Sequence, residues 1–172
     1  VAEIQFADFM FSAYDQLVNE AAKFRYRSGG AFSVPMVMRA PYGAGIHGGL
    51  YHSQSIEVQL AHIPGLKVVA PSTPYDAKGL LIASIEDNNP VIFIDDRWLY
   101  DEIGTVPEEI YSVPIGQGVV KRKGADITVV AISYMVVEAI KAAAHLQAHG
   151  IDVEVIDVRS IKPLDKDIIF QS

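Results

Sequence analysis

Apolar residues recur along the chain with a period that switches between two and about 3.6, which predicts strands alternating with helices. Residues 1–6 read as a strand. Residues 7–27 read as one long amphipathic helix, with Phe11, Tyr14, Leu17, Val18, Ala21 and Phe24 at spacings of three and four, stopped by Ser28, Gly29 and Gly30. Met36, Val37 and Met38 form a short strand after Pro35; a glycine-rich loop spans 41–50, and a helix spans 53–62, closed by Pro64 and Gly65. Residues 66–70 make the next strand. Thr73, Pro74 and Asp76 open a helix that runs to about residue 87, because Thr73 caps, Pro74 fits the first turn and Asp76 faces the positive end of the dipole. Residues 90–94 are again a strand. Runs such as Lys67-Val-Val-Ala70 and Val91-Ile-Phe-Ile94 have no polar face, so they suit strands buried on both sides in a parallel sheet covered by helices.

The pattern lapses over residues 96–117, where Gly104, Pro107 and Pro114 sit among acids, and this stretch reads as a linker. A second unit follows over 118–172: a strand at 127–132, a helix at 136–149 ending at Gly150, a strand at 153–158, and another helix opened by Pro163 and Asp165. The fold class is α/β, with one unit over 1–95 and a second after the linker. The first residue is Val1, not Met, and the chain stops inside an apparent helix, so it reads as a fragment.

Composition narrows the function classes. Half of the 172 residues are hydrophobic, which is ample for a core, and the net charge is −7. No basic stripe is available to neutralise phosphates, so nucleic acid is not a partner; Lys121, Arg122 and Lys123 read as a solvated turn. Cysteine is absent, which removes disulfides, thiolate metal sites and Cys nucleophiles. No apolar run reaches the roughly 18–20 residues needed to span a bilayer, so no membrane partner is expected.

The loop from Gly43 to Leu50, followed by His52-Ser-Gln-Ser55, is the least ordinary stretch. Gly43, Gly45, Gly48 and Gly49 permit close backbone approach to a ligand or a second chain. The loop follows a strand at the carboxyl edge, where open α/β sheets bind ligands. Four readings stand on residues alone. One is a plain turn with surface histidines. The second is a dinucleotide fingerprint, since Gly43, Gly45 and Gly48 match G-x-G-x-x-G; yet the helix opens too late, and Ala70-Pro-Ser-Thr73 occupies the place of the expected acid. The third is metal ligation by His47 and His52, whose spacing fits neither one-face helical pair and lacks a third ligand. The fourth is acid–base work by either imidazole. Asp95 and Asp96 close a strand and are expected to face solvent. There is no nucleophile elbow and no P-loop.

Longer motifs are more specific. Glu3-Ile-Gln-Phe-Ala-Asp-Phe9, Asp15-Gln16, Asn19-Glu-Ala-Ala22 and Arg25-Tyr-Arg-Ser-Gly29 resemble the beta subunits of thiamine-diphosphate-dependent 2-oxo acid dehydrogenases, the decarboxylating first component of those complexes. The resemblance continues through Arg39-Ala-Pro-Tyr-Gly43, His47-Gly-Gly-Leu-Tyr-His-Ser-Gln-Ser55, Pro64-Gly-Leu-Lys-Val-Val69, Pro71-Ser-Thr-Pro-Tyr-Asp-Ala-Lys-Gly79 and Asp157-Val-Arg-Ser-Ile-Lys-Pro163, so it covers essentially the whole chain. His47-Gly48 ahead of Leu50-Tyr-His-Ser-Gln54 is most similar to the branched-chain type.

The resemblance implies a transketolase-type pyrimidine-binding domain over 1–95, lacking its N-terminal part, and the start of a transketolase C-terminal-type domain over 118–172. It implies oxidative decarboxylation of a 2-oxo acid on thiamine diphosphate, with acyl transfer to a lipoyl-bearing acyltransferase. The cofactor is shared with an alpha subunit that holds the diphosphate through Mg²⁺ by a Gly-Asp-Gly motif absent here. Phe9 matches the aromatic residue that stacks on the aminopyrimidine. His52 matches the active-site histidine, and His47 is expected to face substrate. Met36, Ser84, Ile85, Asp87 and Asn89 match a structural K⁺ site. The glutamate that activates the ring lies upstream of the counterpart of Val1, and Glu3 does not match it, so the chain alone is expected to be inactive. The implied setting is a bacterial cytoplasm or a mitochondrial matrix. The alternatives are a pyruvate or acetoin dehydrogenase beta subunit, or a non-catalytic partner that completes another chain's pocket.

Overall fold

In the computed structural model, which describes residues 1–172, the uninterrupted apolar runs become the middle of a sheet. β1 (Ala2–Glu3), β2 (Val37–Tyr42), β3 (Lys67–Val69) and β4 (Val91–Asp96) lie parallel in the order β1-β2-β4-β3. Met38, Ala40, Ile92, Ile94 and Val68 belong to one face's core, and Val37, Phe93, Val91 and Val69 to the other. All are buried, as the absence of a polar face predicts. Each fully buried Leu, Ile or Val contributes about 1.5–3 kcal/mol relative to exposure, so these faces dominate the stability of the unit.

The first face is covered by the coiled segment before β2 and by α2 (Glu57–His62). That segment is helical throughout residues 7–27 but changes pitch: a 3-10 stretch Ala7–Ala13, a π turn Gln16–Ala21, then α1 (Ala22–Arg27). The change corrects the predicted apolar stripe. Of its six positions only Leu17 is buried, Phe11 is 42% exposed, and Met10 takes the core place instead. A 3-10 turn has three residues, so it rotates the face away from the 3.6 spacing. The strand predicted over 1–6 is likewise short, because Phe6 already opens the 3-10 turn. α2 starts four residues later than its prediction.

The second face is covered by α3 (Pro74–Glu86), where Leu80 is fully buried. α3 begins as its sequence requires: the Thr73 hydroxyl accepts a hydrogen bond from the Asp76 backbone N–H at 3.1 Å. Val113, from the stretch read as a linker, is buried against Val37 and Phe93, and its N–H donates to the Gly79 carbonyl at 3.0 Å.

The second unit has three strands, β5 (Val119–Arg122), β6 (Ile127–Ala131) and β7 (Val153–Asp157), in the order β5-β7-β6. β6 pairs parallel with β7, and α4 (Tyr134–Gln147) packs Val136, Ala139 and Ala143 on Val153 and Val155. A strand missing from the sequence reading, β8 (Ser160–Lys162), leaves this unit and pairs antiparallel with β3 at the edge of the first sheet. Its Lys162 ammonium donates to the carbonyls of Ala61 (2.9 Å) and Ile63 (2.7 Å) at the end of α2, where a cation is favoured. α5 (Lys166–Gln171) closes the chain, capped by Asp165, which accepts from the Ile168 N–H.

The cluster Lys121, Arg122 and Lys123 is not a solvated turn. Lys121 and Arg122 lie in β5, and the Lys121 ammonium reaches Asp76 at 2.8 Å and Asp157 at 3.9 Å. Both carboxylates are fully buried. Arg159 adds a second cation 2.7 Å from Asp76 Oδ1, close for an ion pair though poorly angled for a hydrogen bond. Burial pushes the Asp157 carboxyl above its ordinary value, against the Ser72 hydroxyl, the Arg159 N–H and Lys121, which favour its charge. Asp76 belongs to α3 and both cations to the second unit, so this cluster ties the two units together. Removing one partner of a buried pair strands the other charge and typically costs about 3–5 kcal/mol. Asp76→Ala is expected to lower stability in urea by about that amount, with Lys121→Met milder because that side chain is partly exposed. A loss below about 1 kcal/mol for Asp76→Ala would mean that the cluster is solvated and not a clamp.

Candidate functional site

The carboxyl ends of β1, β2 and β4 converge on one edge, and three loops meet there. After β2 the chain makes two short 3-10 turns, Ala44–Ile46 and Gly49–Tyr51, before His52. Each glycine of the G-x-G-x-x-G match is required by a protein side chain. A Cβ on Gly43 (φ 99°) would lie 2.6 Å from Asp96 Oδ2, one on Gly45 would lie 1.4 Å from Trp98 Nε1, and one on Gly48 would lie 2.5 Å from His52 Cβ. The spacing that resembles a dinucleotide fingerprint therefore records close packing of Asp96, Trp98 and His52 on the loop backbone.

The His52-Ser-Gln54 run knits this loop to itself. Ser53 Oγ accepts from the Gly48 N–H at 2.9 Å, and Gln54 Nε2 donates to the Leu50 carbonyl at 3.1 Å. The Gln54 carbonyl accepts from the Gly43 N–H, and its own N–H points to Asp8 Oδ2, both at 3.4 Å. Asp8 is buried, and its other oxygen has no protein partner. His52 is not at the start of a helix, as α2 begins only at Glu57; it sits in the bend before it.

Phe6, just before the 3-10 stretch that follows β1, and Phe9 within it meet His52 edge to face. Ring centroids lie 4.7 Å apart for Phe6 and 5.4 Å for Phe9, with interplanar angles of 85° and 89°. Phe9 remains 39% exposed and His52 is partly exposed. A partly exposed aromatic ring and a partly exposed imidazole are thus presented together at the sheet edge, groups that can stack on and hydrogen-bond a flat heteroaromatic ring. His47 has different neighbours: it is exposed, holds a left-handed φ of 54°, and meets Trp98 edge to face at 6.3 Å. Phe6 was not singled out from the sequence. Its spacing of three from Phe9 was the available signal, because a three-residue turn brings such side chains to one side.

The acids that close β4 do not face solvent. Asp95 accepts from two of the three Arg39 nitrogens, Nε at 3.1 Å and Nη2 at 2.6 Å, and from the Tyr100 hydroxyl. Asp96 is buried, accepts from the Trp98 N–H at 2.9 Å, and is pushed above the usual carboxyl range by its burial. Burial likewise raises Tyr42, on the same edge, to about 12, so it stays a neutral phenol.

Of the residues matched to potassium, Ser84, Ile85, Asp87 and Asn89 lie at the end of α3, and Met36 precedes β2. Ser84 is buried and donates to the Leu80 carbonyl at 2.6 Å; Ile85 is 51% exposed; the Met36 carbonyl accepts from the Val91 N–H at 2.9 Å. Burial acts to raise the Asp87 carboxyl, but the Lys67 ammonium and two Asn89 N–H groups outweigh it and hold it below the ordinary value. Asn89 Oδ1 accepts from Arg25 at 2.8 Å. The last-turn carbonyls of α3 have no helical donor ahead of them and fit a hard cation; Asp87 would be shared with Lys67. No group of three or more His, Asp or Glu side chains is placed to hold a metal ion, and no helix is long and apolar enough to cross a membrane.

Comparison with known proteins agrees with this layout. The transketolase pyrimidine-binding domain matches residues 1–102 and the transketolase C-terminal domain residues 116–172. The chain is 51% identical over 173 aligned residues to 2-oxoisovalerate dehydrogenase subunit beta of Bacillus subtilis (strain 168), covering all of this chain and 53% of that one. It is 49% identical to the beta subunit of acetoin:2,6-dichlorophenolindophenol oxidoreductase and 46% to pyruvate dehydrogenase E1 component subunit beta from the same organism, covering all of this chain and 50% and 53% of those proteins. The chain spans about half the length of the curated relatives it matches. A split-gene transketolase, solved as an inactive beta4 tetramer, shares the fold with a TM-score of 0.79 at 24% identity, over 99% of this chain and 52% of that one. The domain order and the family match over residues 1–102 place the chain in the transketolase family, and the beta subunits just named are the proteins to which its whole length is similar.

Proposed function

We propose that this chain supplies the pyrimidine-binding half of a thiamine-diphosphate site in a 2-oxo acid dehydrogenase, with a branched-chain 2-oxo acid as substrate. The observation that carries the reading is the pairing of Phe9 and His52, 5.4 Å apart at the carboxyl edge of the sheet. Thiamine diphosphate, when bound, supplies the carbon that attacks the 2-oxo group and accepts electrons after carbon dioxide leaves. Phe9 offers its ring to the aminopyrimidine, and Phe6 packs edge to face on the His52 imidazole at 4.7 Å. His52 binds the substrate carboxylate or moves a proton during transfer of the acyl group to lipoyl. His47 lies farther along the loop and contributes to substrate contact.

An alpha subunit completes the site, holding the diphosphate through Mg²⁺, since this chain has no Gly-Asp-Gly run. Phe9, Phe11, Leu50 and Tyr51 are 39%, 42%, 79% and 69% exposed, and such apolar exposure beside the site supports a protein partner there. A lipoyl-bearing acyltransferase receives the acyl group. Relatives named for acetoin and pyruvate match nearly as well as the one named for 2-oxoisovalerate, so those substrates are the rivals.

In the assembly with the alpha subunit, His52→Ala is expected to lower turnover of 2-oxoisovalerate by roughly 10²–10⁴-fold, as for a lost general acid or base. Thiamine diphosphate affinity should change far less, because Phe9 and the alpha subunit still hold the ring and diphosphate. Equal turnover in both proteins would leave His52 a packing residue, and preference for pyruvate or acetoin would transfer the chain to those enzymes. Potassium provides a separate check. The melting temperature should rise with K⁺ more than with Na⁺ at equal ionic strength, and Asp87→Ala should remove the difference. Identical response to both ions in the unaltered chain would rule out the cation site.

A further inference from the structure

Trp98 is the chain's single tryptophan, and 49% of it is exposed, so it is not a core residue. What distinguishes it is the number of separate pieces it joins. Its backbone N–H donates to Asp96 Oδ1 at the end of β4. Its indole lies so close to Gly45 that an added Cβ would overlap Nε1 at 1.4 Å. It stacks on Tyr134, the first residue of α4, with centroids 5.8 Å apart and planes 21° apart, and it meets His47 on another side. Tyr134 is itself held: its hydroxyl donates to Glu138 at 2.8 Å, and Ser133 before it keeps a strained φ of 54°. Between loop and helix lies a cleft of about 340 Å³ that Trp98 walls together with Tyr42 and Met135.

A loop with four glycines has little rigidity of its own. The hydrogen bonds of Ser53 and Gln54 close its base, but the Ala44–Ile46 turn has no side-chain cap. We infer that Trp98 is a positioning residue: wedged between Gly45 and Tyr134, it fixes the turn that leads to His47 and His52 against the second unit. The consequence for catalysis rests on the function proposed above, whereas the mechanical claim does not. Gly45 is then glycine for one reason, the indole above it. A side chain there is harmful while Trp98 is present and harmless once it is gone.

A double-substitution cycle with Gly45→Ala and Trp98→Ala, read by amide hydrogen exchange, tests this in the chain itself. Each single change should raise exchange across residues 43–52 by about tenfold or more while β4 and the body of α4 keep their protection. The double variant should look like Trp98→Ala alone, because contacting sites are non-additive. Trp98→Phe, which keeps a ring on Tyr134, should recover part of the protection. Unchanged exchange in Trp98→Ala, or effects of the two changes that simply add, would overturn the inference. In the assembly with the alpha subunit, Trp98→Ala should depress turnover of 2-oxoisovalerate more than it raises KM. A normal rate despite a loosened loop would refute the link to His52. No thiamine-dependent activity in the unaltered assembly would count against the proposed function and leave the exchange result as the test of the wedge.

Discussion

β2 and β4 run side by side in register over six residue pairs, and the placement of the site follows from that pairing. A slip of β2 by one residue would turn Arg39 into the face packed with Ile92 and Ile94, burying its cation among hydrocarbon and leaving Asp95 without it on the other face. With slippage barred in this way, Tyr42 ends opposite Asp96, and the chain leaving β2 must pass beneath the chain leaving β4. Asp96 then meets Gly43 and Trp98 meets Gly45, so backbone passes where side chains could not. The same edge receives Phe6 and Phe9 from the end of β1. One register therefore gathers three loops that are far apart in sequence.

Much of this is legible in the sequence. Apolar runs without a polar face located β3 and β4, Met36-Val-Met38 marked only the start of β2, whose last two residues fall in the stretch read as loop, and Thr73 with Pro74 located the start of α3, because those signals are local. Readings failed where tertiary contacts override local pattern. The coil over residues 7–27 changes pitch, so Met10 replaces Phe11 in the core. β8 is three residues long and exists by pairing with β3, a partner about ninety positions away that periodicity cannot report. Lys121 and Arg122 look like any basic turn until Asp76 and Asp157 are found buried beside Lys121.

The site divides along the same line. His52 and Phe9 were identified through motif resemblance, not from spacing, and they do meet in space. Their supports were not visible: Phe6 behind the imidazole, Asp8 beneath Gln54, Trp98 over Gly45. The glycines illustrate why. Four in one loop suggest room for a ligand, and three of them instead make room for the protein's own side chains. Composition reports that close approach occurs; only the fold reports what approaches.

Phe9 and the His52 imidazole stand together at the sheet edge beside exposed apolar residues, and the half-site proposed above rests on that surface. The most direct measurement is the structure of this chain assembled with the alpha subunit, thiamine diphosphate and Mg²⁺. Phe9 lying face to face with the aminopyrimidine, with His52 on the side open to substrate, is the predicted result. A cofactor ring bound away from Phe9, with Phe9 and His52 still in solvent, would contradict it.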